Sequence, residues 1–198
     1  MSKSESIKKS DEKALKPGLS PVDTYFSKLI IKTLPKWHKI KATPNVLTTI
    51  GLIFTILAIY FIYKRSVYLA IICVILRAYF DYADGLLARK YDQTSLFGDY
   101  YDHVVDSIFF ALPLLLLFFF SNLRILLIPL VITYIITILY NVGIEKAYNK
   151  KTGKGGTVLL GSFLTPPKFL NKYYADVYTY SIFIVLIIIL CVKDPRRT

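Results

Sequence analysis

The chain has 198 residues, 55% of them hydrophobic, with a mean hydropathy of +0.49 and a formal net charge of +12. That length holds one domain, and the apolar fraction exceeds that of ordinary soluble proteins. Apolar runs of about 20 residues without period-two alternation exclude a β-barrel, and Lys and Arg flank those runs in the positive-inside pattern, so the charge does not call for nucleic acid.

Residues 1–20 are polar and lysine-rich, which predicts a disordered N-terminus with no cleavable signal peptide. Over 21–41, Val22, Tyr25, Phe26, Leu29, Ile30, Thr33, Leu34 and Trp37 recur at helical spacing, with Lys28, Lys32, Lys36 and Lys39 mostly off that stripe. The pattern predicts an amphipathic helix in the membrane interface, Trp37 at headgroup level; a soluble helix packed on a partner is the alternative. A transmembrane unit is expected over 42–193, with a basic tail at 194–198.

Thr43-Pro44-Asn45 opens a first span that runs to about Tyr63, with Pro44 in the first turn, where its missing N–H is not needed. Further spans are expected at 67–89 and 97–120, then from a tight turn at 121–123 to about Tyr148, and at 176–192. Lys150 to Lys154 read as a basic cytoplasmic loop, and 156–172, with Pro166-Pro167, as a short broken fifth span or a re-entrant segment. A cytoplasmic N-terminus puts 90–96 and 150–154 inside, and a basic C-terminus joins them only if 156–172 crosses. The expectation is an all-α polytopic membrane protein with six transmembrane helices. Cys73 and Cys191 fall within spans without metal-ligand spacing and read as packing residues.

Four aspartates interrupt this apolar pattern: Asp81, Asp84, Asp102 and Asp106. Each costs roughly 2.5–3.5 kcal/mol at the centre of a membrane helix, so they must lie near the interface, face a wet cavity or bind cations. Spans two and three would form an antiparallel hairpin turning near 93–94, which brings Asp81 level with Asp106 and Asp84 level with Asp102. Spacings of three and four set each pair on one helix face. If the faces meet, the carboxylates converge near the cytoplasmic boundary. Oxygen-only ligands suit Mg2+ or Mn2+, since His38 is remote and His103 is alone. Bridging carboxylates suggest two ions, an arrangement suited to in-line displacement at phosphorus. Gly85, Ala88 and Gly98 leave a smooth surface for a flat ligand, or serve close helix contact. Arg89 at the mouth would bind phosphate or snorkel to the interface.

Asp81-x2-Asp84-Gly85-x2-Ala88-Arg89-x8-Gly98-x3-Asp102-x3-Asp106 resembles, at every defining position, the signature of the CDP-alcohol phosphotransferase family. Thr43-Pro44-Asn45-x2-Thr48 is similar to the family's element opening the first span, and the likeness covers about residues 22–192. The resemblance implies six transmembrane helices, an interfacial helix, a homodimer, and displacement of CMP from a CDP-linked substrate by an alcohol. It implies that Asp81, Asp84, Asp102 and Asp106 hold two divalent ions, with Asp106 also the general base. Gly85, Ala88 and Gly98 would line the cytidine site, with Asn45 and Thr48 touching the nucleotide and Arg89 the phosphates.

The acceptor stays open at this point. Asp102-His103 and Asp106-Ser107 are closer to transferases of phosphocholine or phosphoethanolamine to diacylglycerol, whereas the chain's length favours the CDP-diacylglycerol class. In 151–157, Gly156 stands where glycerol-phosphate-using relatives carry a second lysine. A membrane prenyltransferase would need a second aspartate-rich motif. A divalent-cation transporter would need polar residues continuing across the membrane. The sequence offers neither.

Overall fold

A computed structural model describes residues 10–120, 124–152 and 169–193, and all regular structure among them is helical. The expected turn at 121–123, most of the expected fifth span and the C-terminal tail lie outside the described residues. A helical turn at 10–14 precedes α1 (Pro21–Ile31) and α2 (Leu34–Lys39). The long helices are α3 (Pro44–Tyr63), α4 (Val67–Lys90), α5 (Leu96–Phe120), α6 (Leu127–Thr152) and α8 (Asp176–Lys193), with a short α7 (Leu170–Tyr173) before the last.

Local chemistry sets the helix ends. Ser20 Oγ accepts from the Asp23 N–H at 3.1 Å, and Pro21 follows at the first helical position, a standard start for α1. Lys41, Arg65 and Asp92 adopt left-handed backbone with φ of 56°, 57° and 56°, each just past the end of a helix. At Asp92 the chain reverses while the Gln93 N–H donates to the Ala88 carbonyl at 2.8 Å. Ser95 then caps α5, its Oγ accepting from the Gly98 N–H at 3.0 Å. The predicted basic loop at 150–154 is corrected in part: Lys150, Lys151 and Thr152 are the last residues of α6. Lysines suit that end, since they complement the negative end of the helix dipole.

Among the described residues two helices are long and apolar enough to cross a membrane, Pro44–Tyr63 and Leu127–Lys150, and only 28% and 33% of their most apolar stretches are buried. A core helix of a soluble protein would be mostly enclosed; these turn apolar side chains outward. Cys73 and Cys191 are buried in one apolar cluster with Ala58, Phe109, Phe183 and Leu190, where α3, α4, α5 and α8 meet. A second cluster joins Ala14, Ile31 and Leu34 to Leu47 of α3 and to Phe80 and Leu87 of α4.

Helix α1 turns an unexpected face inward. Asp23, Ser27 and Ile31 are buried, while Tyr25, Phe26 and Leu29 of the apolar stripe are exposed. Asp23 explains this orientation. It is fully buried and accepts from Tyr82 at 2.7 Å, from Tyr140, and from the Asp176 N–H at 3.1 Å. One carboxylate therefore ties α1 to α4, to α6 and to the open N-terminus of α8, where unpaired N–H groups favour an anion. Residues 10–20, expected to be disordered, are also set against this frame. Ala14 is buried, Lys13 pairs with Asp92 at 2.6 Å and Lys90 with Asp11 at 2.5 Å.

Candidate functional site

Helices α4 and α5 carry the acidic residues, yet among the described residues they make almost no close backbone approach to each other. Instead α3 packs along both. The side chains do the converging. Asp81, Asp102 and Asp106 each offer an oxygen, and the three oxygens lie within 4.8 Å of one another. They stand on the wall of a cavity of about 470 Å³ that also reaches Asp84, Gly85 and Arg89.

Each carboxylate has a distinct setting. Asp81 Oδ2 accepts from the Tyr180 hydroxyl of α8 at 2.7 Å, and its Oδ1 accepts from Arg77 at 2.8 Å. Asp106 accepts from the other terminal nitrogen of the same arginine. Asp84 is held apart from the three-oxygen group: its Oδ2 accepts from the Thr48 hydroxyl at 2.6 Å. Asp102 Oδ1 is buried with no hydrogen-bond partner among the described residues. A buried carboxylate oxygen without a donor is costly, and a cation removes that cost. Three converging hard oxygens, with an orphaned oxygen on one of the three residues, fit a divalent ion such as Mg2+ or Mn2+.

The residues expected at the nucleotide site divide into two groups. Gly85 and Arg89 share the cavity, and a Cβ at Gly85 would come 3.0 Å from Arg89 Nη1, so the missing side chain lets the guanidinium fold back over the helix. Arg89 Nε donates to the Ala14 carbonyl at 2.6 Å. Asn45 and Gly98 face each other, since a Cβ at Gly98 would meet Asn45 Oδ1 at 3.0 Å. Thr48 stands one turn beyond Asn45, against Asp84. Ala88 is half-buried on α4 and, like Asn45, Thr48 and Gly98, lies outside the cavity wall.

Sequence reasoning passed over several groups at or beside the cavity. Arg77 sits one turn before Asp81 in an apolar run, and a charge placed there was itself a signal. Tyr180 and Asp176 of α8 had no local signal, because they meet α4 and α1 only through the fold. Lys16 lines the cavity and pairs with Glu145 of α6. In the sequence it belongs to the polar, lysine-rich N-terminus.

Long helices, outward apolar faces and an acid cluster with an orphaned oxygen define a helical protein with a half-buried acidic group on its cavity wall. The chain belongs to the CDP-alcohol phosphatidyltransferase family, whose sequence model matches residues 41–193. An uncharacterized protein of Aquifex aeolicus is 33% identical over 89 residues, 45% of this chain and 45% of its own length. The archaetidylinositol phosphate synthase of Pyrococcus horikoshii is 41% identical over 66 residues, 33% of this chain and 35% of that protein. The CDP-diacylglycerol–glycerol-3-phosphate 3-phosphatidyltransferase of Aquifex aeolicus is 33% identical over 81 residues, 41% of this chain and 46% of that protein. Each match spans less than half of the relative's length. No solved structure matches at a comparable level of significance.

Proposed function

We propose that this chain is a multi-pass membrane transferase of phospholipid synthesis in which an alcohol hydroxyl attacks the diphosphate of a CDP-linked substrate and CMP leaves. The observation that carries this reading is the convergence of Asp81, Asp102 and Asp106 to within 4.8 Å on the wall of the cavity. When bound, two divalent ions, Mg2+ or Mn2+, supply charge stabilisation of the attacking and leaving oxygens. Asp81, Asp84, Asp102 and Asp106 would hold them. Asp106, oriented by Arg77, takes the proton from the incoming hydroxyl when that hydroxyl comes within hydrogen-bond reach. Gly85, Ala88 and Gly98 receive the cytidine nucleotide, with Asn45 and Thr48 at its edge. Arg89 binds the phosphates, for which its planar fork of donors is suited.

CDP-diacylglycerol is the donor best supported, because two of the matched relatives are named for it. Lys16 on the cavity wall offers a cationic partner to a phosphorylated acceptor. The Asp102-His103 and Asp106-Ser107 pairs favour, as the second reading, transfer of phosphocholine or phosphoethanolamine from a CDP-amino-alcohol to diacylglycerol. The six spans would be α3, α4, α5, α6, α8 and the segment 156–172. Helices α4 and α5, with 24 and 25 residues, have the length to cross. Tyr25, Phe26 and Leu29 would lay the outer face of α1 in the interface, with the site at the cytoplasmic side of the cell membrane or endoplasmic reticulum. A homodimer is part of this reading, as the family resemblance implies.

The test is release of CMP by purified protein with Mn2+, either from labelled CDP-diacylglycerol with a panel of free and phosphorylated alcohols or from CDP-choline with diacylglycerol. The expected result is CMP release only with one acceptor class. Asp106→Asn should abolish that release, lowering the rate at least about a hundredfold, while CDP-lipid binding persists. CMP release from neither donor with any acceptor would overturn the reading.

A further inference from the structure

Arg77 is the first charged residue along α4 and is 1% exposed. Its stem passes Gly51 of α3, where an added Cβ would already stand 3.5 Å from Arg77 Cδ. One terminal nitrogen donates to Asp81 at 2.8 Å and the other to Asp106, while the guanidinium carbon lies 5.3 Å from the centre of the Phe109 ring. Its Nε is buried with no partner among the described residues. A guanidinium that spends two nitrogens on carboxylates and leaves the third unpaired is placed for those carboxylates, not for its own satisfaction.

Arginine keeps its charge at any pH a protein survives. It therefore cancels one of the four negative charges of the acidic group permanently, and does so on two of the proposed ion ligands. We propose that Arg77 is a positioning residue that competes with the divalent ions for Asp81 and Asp106. It keeps the two carboxylates gathered when ions leave, and it weakens ion binding so that the ions remain exchangeable. This inference rests on the metal-dependent reading above. A plain structural clamp between α4 and α5 has a different consequence: removing it would loosen the ligands and weaken ion binding.

The experiment is a Mn2+ binding isotherm and a melting curve on purified full-length protein, wild type against Arg77→Met and Arg77→Lys. Arg77→Met is expected to bind Mn2+ at least about tenfold more tightly, because a like charge next to the ion has gone. Without ions it should melt at a lower temperature than the wild type, and saturating Mn2+ should close the gap. Arg77→Lys keeps a charge but lacks the fork that bridges two carboxylates, so it should tighten Mn2+ binding about threefold or more and lower the metal-free melting point. It carries the test if the methionine variant does not fold. Mn2+ affinity unchanged or weakened in the folded variants overturns the inference and leaves the proposed function standing. A wild type that binds no Mn2+ overturns both.

Discussion

Single residues around the acidic cluster on α3, α4 and α5 divide their work between holding the acids and clearing space. Thr48 is the clearest holder. Its hydroxyl donates to the buried Asp84 at 2.6 Å, and no local rule of helix formation asks for threonine there. Thr48→Val removes that donor while keeping the shape, and leaves a buried carboxylate oxygen short of a partner. The variant should lose about 1–3 kcal/mol of stability, read as a lower melting midpoint in detergent, and Thr48→Ser should recover most of it. An unchanged midpoint in Thr48→Val would mean that another group already serves Asp84. Gly85 and Gly98 do the clearing, one beside the Arg89 guanidinium and the other beside Asn45. The motif made these positions legible as small. Which polar side chain each one accommodates is a property of the folded arrangement.

Among the elements, the hairpin of α4 and α5 was legible in part. Spacings of three and four put the aspartates on common faces, and the three oxygens of Asp81, Asp102 and Asp106 do meet. The expected helix-on-helix contact gives way to a looser arrangement in which α3 packs along both helices and the cavity opens beside the acids. Sequence periodicity reports which face is polar, not how far apart two polar faces stand. Helix α1 shows the same limit more sharply. Its apolar stripe was legible, but the face it turns inward is set by Asp23, whose partners beyond the capping Ser20 lie 59 to 154 residues away along the chain. Asp23→Ala should cost about 3 kcal/mol, because it strips acceptors from two phenols and from the N-terminus of α8. Limited proteolysis should then cut within 10–20 faster than in the wild type, and Asp23→Asn should fall between. Equal cleavage rates would show that α1 is anchored by its apolar contacts alone.

At the scale of the molecule, the described residues form two apolar clusters and an acid-lined cavity among helices whose outward faces are rich in Ile, Leu, Val and Tyr. The all-helical plan was legible from runs of the length a bilayer demands. Arg77 was not read as part of the site, although it lies on the same helical face as Asp81. A lone arginine in an apolar run announces its cost without naming its partner, and one of its two partners is 29 residues away on another helix. The proposed chemistry requires α4 and α5 to contribute ligands to the same ions. Electron paramagnetic resonance of Mn2+ bound to purified protein tests this with one substitution from each helix, Asp81→Asn and Asp102→Asn. Shared ions predict that either substitution alone removes most of the bound-Mn2+ signal. Two variants that each retain about half the signal, or all of it, would show that the helices bind ions separately or not at all, and would contradict the account.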